Sequence, residues 1–455
     1  MLNNDSSNSV DIMLGNPKQA LIKMSIPLII SLLITSFYNL IDAAWVSGLG
    51  ADALAGVGFF TPIFMILIGF GNGLGSGAAF AISKYLGEEN KPKADNASIH
   101  SILIDIIISI IITVILLIFL NPILEVMGAG QTIGYATDYG AIILSGSILI
   151  ILSNALYGIF RGEGDTIRPM YAMIASAILN MILDPIFIYT LNLGVKGAAI
   201  ATLISALFVI LILVYWFYIK HDTYLKPNLS NFNFKRDISV DIVKVGLPAS
   251  IQLLNNAFFA AVFSALLAFV GSTDSVAVYS TGWRIVIIGT TPILAIGTAL
   301  ISVIAANYGA KNYKNIQIAH RYAIKISLVL GIAVMILTNV FAADIASVFA
   351  SSGSSVRIAP ELTAFLAWIV IYYPSMAVGV PSTYVFQGIG KGITAMFQTI
   401  MRETGFTLFF AVLLAVVLNY GVWGAWMGIV LGEIVSNNLT GIWANWEIKR
   451  LIKEE

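Results

Sequence analysis

The sequence contains no cysteine, only three histidines, and few charges for its length. The lack of cysteine excludes a disulfide framework, a thiolate metal site and haem attachment, and leaves the compartment open. His100, His221 and His320 each lie beside a loop expected on the cytoplasmic side, which argues against a histidine-built metal or catalytic centre. Charged residues make up 11% of the 455, and the net charge is zero. Soluble domains carry about a quarter charged residues. With no long basic run, nothing supports nucleic-acid binding. No Gly-x-x-x-x-Gly-Lys-Ser/Thr run is present, so ATP hydrolysis by this chain is not expected. The glycines at 71, 73, 75 and 77 fall inside an apolar span, where small residues permit close helix packing. With no visible nucleophile–base pair, neither an enzyme nor a resident cofactor is expected. Residues 1–16 are polar and lack a basic region and a small-residue cleavage site. They read as a free cytoplasmic N-terminal tail, not a signal peptide.

Apolar residues take up the difference, at 58% of the chain. Residues 102–120 carry one charge, Asp105, and residues 198–219 carry none. Crossing ~30 Å of hydrocarbon takes ~20 such residues. Apolar stretches separated by Gly, Pro, Asn and charges predict an all-α integral membrane protein with twelve spans: 21–47, 54–82, 98–120, 137–160, 170–191, 195–219, 242–270, 276–306, 320–342, 358–386, 395–418 and 422–446. Of 24 lysines and arginines, all but Lys196, Arg357 and Arg284 fall in tails, loops or helix ends on the side of the termini. The positive-inside rule then puts both termini in the cytoplasm of a multi-pass plasma-membrane protein.

The chain repeats internally. Lys23-x-x-x-Pro27 matches Lys244-x-x-x-Pro248, and Gly87 and Asn90 match Gly309 and Asn312. Gly162-x-Gly164 matches Gly388-x-Gly390, and Gly194-Val195-x-Gly197-Ala198 matches Gly421-Val422-x-Gly424-Ala425. Each half holds six helices, an even number, so both insert in the same sense. A pseudo-two-fold along the membrane normal should relate them, with a cavity between. The expected organisation is a tail (1–16), an N-terminal lobe (17–219), a cytoplasmic linker (220–241), a C-terminal lobe (242–446) and a C-terminal tail (447–455).

Charges in hydrocarbon are costly, so those inside spans are the first functional candidates. Asp42 and Asp184 lie at similar depth in the outer half of helices one and five. Tyr38 and Asn39 precede Asp42 on its face, and Asn180 precedes Asp184 by four. Thr202 and Ser205 bring hydroxyls from helix six. Two chemical readings stay open here. Burial favours the neutral form of a carboxylate, so a proton could be taken up outside and released inside. Alternatively, oxygens of Asp42, Asn180, Asp184 and Thr202 make a hard-cation site for sodium. A purely structural reading, in which these groups only tie helices together, stands beside both. Tyr139, near the outer end of helix four, is a further candidate to line this cleft.

The run Tyr38-Asn39-Leu40-Ile41-Asp42 with Gly48-Leu49-Gly50 and Ala53-Leu54-Ala55 resembles the first-helix signature of the MATE (multidrug and toxic compound extrusion) family. Residues 179–185, Leu-Asn-Met-Ile-Leu-Asp-Pro, followed by 193–202, resemble its fifth- and sixth-helix signature, and the turns at 160–166 and 387–392 also fit. The resemblance covers nearly the whole chain. It implies an antiporter, not an enzyme, that exports cationic or lipophilic small molecules against inward H⁺ or Na⁺. Acids and polar groups matching Asp42, Asn154, Asn180, Asp184 and Thr202 are implicated in coupling.

The family's NorM-type branch uses acids in helices seven and ten. Here the matching stretches, 252–263 and 372–386, offer Gln252, Asn255, Asn256 and tyrosines but no carboxylate, which favours the DinF-like branch with coupling in the N-terminal lobe. Gln252, Asn256 and Arg284 join Tyr38, Asn39 and Tyr139 as substrate-cavity candidates. Arg284 and Glu433 are expected to pair with each other. Pro27, inside helix one, is the candidate conformational element, since a mid-helix proline removes a backbone hydrogen bond. The expected partners are small-molecule substrates and membrane lipid, with the chain a monomer. The alternative is a flippase for lipid-linked saccharides in the same superfamily. That chemistry calls for several cavity arginines, and the sequence offers Arg284.

Overall fold

A computed structural model describes residues 4–349 and 353–454. Among the described residues it is helical with no strand. The membrane helices are α1 (Pro17–Ser47), α2 (Ala51–Gly87), α3 (Lys91–Val126), α4 (Gly130–Ser145 with Ser147–Gly162), α5 (Ile167–Thr190), α6 (Val195–Lys220), α7 (Arg236–Val270), α8 (Thr273–Gly309), α9 (Tyr313–Val340), α10 (Val356–Ile369 with Tyr372–Gly388), α11 (Gly392–Val417) and α12 (Gly421–Lys453). The first eleven are long and apolar enough to cross a bilayer when each bent pair counts as one span. The 33-residue α12 is long enough but carries Glu433, Asn437 and Asn438 in its middle.

The repeat is visible in the irregularities of the helices. α4 bends by 52° at Gly146 and α10 by 50° at the matching place, where Pro374 lacks the N–H that would continue the helix. α5 ends in a π-helical turn, Ile186–Thr190, and α11 in another, Leu413–Val417. Each is followed by a glycine at positive φ, Gly194 at 56° and Gly421 at 57°, which starts the next helix. α11 holds a second π segment, Met401–Thr407, that α5 lacks. Such turns inside a membrane helix free backbone groups and are frequent at functional places.

The apolar core divides in three. One cluster is shared by both lobes near the basic end, where Leu21, Met24 and Leu28 of α1 meet Ala295 to Ala306 of α8. The other two clusters belong one to each lobe and lie toward the opposite end. The lobes are therefore fused at the basic end and parted at the far end. Glycines make the seam: Gly73 and Gly77 of α2 lie against Ser250 and Gly246 of α7, while Gly87 and Gly309 lie against the backbones of Ala306 and Lys84. Ion pairs close the rim, Lys84 to Asp241 at 2.6 Å and Lys93 to Asp237 at 2.7 Å, and the Tyr85 hydroxyl donates to Asp241 at 2.6 Å.

One expectation fails here and one boundary moves. The N-terminal stretch is not a free tail: Asn4–Leu14 is helical, with Val10 and Met13 buried in the shared core. The segment between the lobes is tied down along its length. The Leu225 N–H donates to Glu163, the Lys226 N–H to Asp95 and the Lys235 N–H to His100, while Arg168 bonds Asp222. These contacts strap the linker to the N-terminal lobe. α7 already begins at Arg236, six residues before the expected boundary.

Candidate functional site

The spacing of polar residues on α1 and α5 places a compact site in the N-terminal lobe. Tyr38 and Asp42 share a face of α1, and Asn180 and Asp184 share one of α5, each pair four residues apart. Asp184 and Asn180 are fully buried. Oriented to satisfy both ends, the Asn180 amide donates to Asp184 Oδ2 at 2.8 Å and its oxygen accepts from the Thr202 backbone N–H at 3.3 Å. The Asp42 carboxyl reaches the Asp184 carboxyl within hydrogen-bonding range. A hydrogen bond between two carboxyl groups requires that one of them carry a proton. The Tyr38 and Tyr139 hydroxyls both reach Thr202, whose own Oγ1 donates to the Ala198 carbonyl at 3.0 Å. Tyr139 stands edge-on to Phe60, ring centroids 5.5 Å apart. The Tyr189 hydroxyl, donating to the Trp45 carbonyl at 2.5 Å, ties the end of α5 to that of α1.

The structure thus joins Asp42, Asp184, Asn180, Thr202, Tyr38 and Tyr139. Asn39 is exposed and makes none of these bonds. Asn154 bonds back to the Ile150 carbonyl at 2.9 Å and packs on Gly71 of α2. Ser205 is buried with its hydroxyl unpartnered among the described residues. Oriented for these bonds Asn180 turns its N–H₂ toward the acids, while the opposite amide orientation would bring its oxygen there as a cation ligand.

The C-terminal lobe has its own polar cluster, and it departs from expectation. Glu433 does not pair with Arg284, which is exposed on α8. Its neighbour is Arg402 on the extra π segment of α11, with Nε 3.9 Å from Glu433 Oε1, and Asn437 donates to it at 2.9 Å. Arg402 also pairs with Glu403 at 2.9 Å. Asn255 donates to Glu403 at 2.9 Å and accepts from Thr404 at 2.8 Å, and the exposed Asn256 turns its amide toward Glu403. Gln252 accepts from Gln387 at 3.1 Å. Sequence reasoning missed Arg402 and Glu403 by counting Arg402 among basic helix ends. The signal was there, since Arg402 stands ten residues into α11 from its start at Gly392, which is mid-membrane depth at ~1.5 Å per residue.

Comparison with known proteins agrees with this architecture. The MatE family model matches residues 27–186 and 248–420, one match in each lobe. The chain is 27% identical to the FAD transporter of Shewanella oneidensis over 78% of both chains. It is 26% identical to the multidrug export protein MepA of Staphylococcus saprophyticus, over 88% of this chain and 85% of that one. A crystal structure of MATE in complex with MaL6 superposes with a TM-score of 0.95 at 37% identity, covering 98% of this chain and 99% of that one. Fold, duplicated signatures and relatives converge: the chain is a multi-pass membrane protein of the MatE family of transporters.

Proposed function

We propose that this protein is a secondary antiporter that exports cationic or lipophilic small molecules through the cleft between its lobes, in exchange for inward protons taken up at Asp42 and Asp184. The observation that carries the reading is the contact between the buried Asp184 carboxyl and the half-buried Asp42 carboxyl. Like charges so close cannot both ionise cheaply, so a proton entering or leaving the pair switches the local field. Sodium held by the oxygens of Asp42, Asp184, Thr202 and a turned Asn180 amide is the second reading. Placement in the DinF-like branch follows the same line: the stretches 252–263 and 372–386 bring no acid, and Arg402 neutralises Glu403 and Glu433.

With the basic end in the cytoplasm of the plasma membrane, the structure corresponds to an outward-facing state. Alternating access then requires opening of the glycine seam. Pro27, whose missing N–H leaves the Lys23 carbonyl without its helical donor, is the proposed point of bending in α1. Multidrug exporters among the relatives support small-molecule efflux, and action as a monomer belongs to the same proposal.

The test is efflux of a fluorescent organic cation from proteoliposomes under proton and sodium gradients imposed separately. A pH gradient alone should drive transport, and Asp42→Asn and Asp184→Asn should each reduce it about tenfold or more. Normal transport by both variants under either gradient would overturn the coupling assignment. Efflux driven by sodium alone would move it to the second reading. Pro27→Ala at full rate in the same assay would remove the bending role.

A further inference from the structure

Arg161 ends the second segment of α4 and is 8% exposed. Its carbonyl accepts the Gly164 N–H in the turn that follows. Its guanidinium, however, has neither an ion pair nor a hydrogen bond among the described residues. Other buried or half-buried cations are all matched: Arg402 by Glu403 and Glu433, Arg168 by Asp165 and Asp222, Lys391 by Glu447.

The guanidinium lies on the seam. It runs alongside Gly75 of α2, where a Cβ would come within 3.3 Å of Nη2, so the glycine provides its room. Across the seam it faces Tyr384 of α10, which packs on Gly297 of α8. The repeat sharpens the point. Gly297 is the counterpart of Gly75, and Gln387, just before Gly388-x-Gly390, is the counterpart of Arg161. Gln387 is answered by Gln252, although its Oε1 is left over. One frame has thus been used twice, and the N-terminal copy puts an unbalanced positive charge where the lobes meet.

An unpaired guanidinium taken out of water is costly, and an intramembrane charge that the protein leaves unmatched marks a place for a mobile partner. Five N–H donors in a planar fork fit a carboxylate or phosphate in bidentate fashion. We propose that Arg161 receives an oxyanion of the transported solute at the base of the cleft, so that amphiphiles bearing a carboxylate or phosphate are substrates alongside plain organic cations. The inference rests on reading the cleft between the lobes as the transport path.

A matched pair of dyes tests it. Rhodamine 6G is an ester, and rhodamine 19 is its free acid on the same cationic ring system. Binding of each to purified protein in neutral detergent is followed by tryptophan fluorescence quenching. The wild type should bind the free acid roughly tenfold more tightly than the ester. Arg161→Gln should erase that preference, and Arg161→Lys should keep most of it by preserving the charge. Equal binding of the two dyes by the wild type overturns the proposal, and so does a preference that survives in Arg161→Gln. The wild-type comparison decides by itself if the glutamine variant does not fold. Equilibrium binding needs no ion gradient, so failure of the antiport reading would leave this result intact.

Discussion

Asp105 and Glu163 show how differently a buried carboxyl can sit in this protein. Asp105 is 2% exposed within α3, and neither of its oxygens has a partner among the described residues. Removing such a group relieves a desolvation cost, so Asp105→Leu should stabilise the protein by about 1–3 kcal/mol, read as a higher Tm in detergent. A lower Tm would mean that the carboxyl has a partner in the dominant state. Glu163 lies outside the spans, in the turn between α4 and α5, and accepts the Leu225 N–H of the strap at 3.0 Å. Burial, with Asp165 nearby, pushes it up to about 8, against the help of Leu225 and Arg168. A carboxyl raised in the folded state binds a proton that the unfolded chain releases. Its stabilisation is therefore full below about pH 4.5 and lost as pH rises through about 8. Amide exchange in the strap at 222–227 should accelerate between pH 6 and 9, and Glu163→Gln should flatten that rise. The same pH slope in the variant would exclude Glu163 as the titrating group.

At the scale of elements, the closed basic end depends on a few side chains between α2, α3 and α7. Asp241 gathers Lys84, Lys244 and Tyr85 on one carboxylate. Because the chain has no cysteine, a single introduced thiol reports the seam without background. Ala306 is fully buried there against Gly87. In an Ala306→Cys background, Asp241→Asn should raise the rate of thiol alkylation roughly tenfold, the effect of about 1.4 kcal/mol on the open population. An unchanged rate would show that apolar packing alone holds the seam. The broken helices belong to this scale too. Pro374 was a signal for the bend in α10 that reading 358–386 as one span left unused, whereas Gly146 in α4 gave no more signal than many membrane glycines.

For the whole molecule, the alternating access proposed above would part the close backbone contact at Gly87 and Gly309, which any side chain would obstruct. Gly87→Val should hold the basic end open. Spin labels placed at Glu89→Cys and Lys314→Cys, both at exposed positions, should then report a longer distance than in the parent protein, and export should be lost. An unchanged distance with normal export would remove the crossing from the transport cycle.

Much of this protein follows from its sequence alone. Apolar runs of fixed length dictate membrane helices, because lipid leaves the backbone no other way to satisfy its hydrogen bonds. The repeated Lys-x-x-x-Pro and Gly-x-Gly elements dictate two similar lobes. The i, i+4 spacing of Tyr38 with Asp42 and of Asn180 with Asp184 was also legible, since a helix puts such residues on one face. What partners a charge across helices was not. Arg284 and Glu433 were paired because each lacked a partner in its own helix, yet rotation of α8 and the extra π turn of α11 give Glu433 to Arg402. The packed strap, the buried N-terminal helix and the unmatched Arg161 are likewise decided only when distant segments meet. Helical periodicity fixes which residues share a face, but only tertiary packing decides which faces meet.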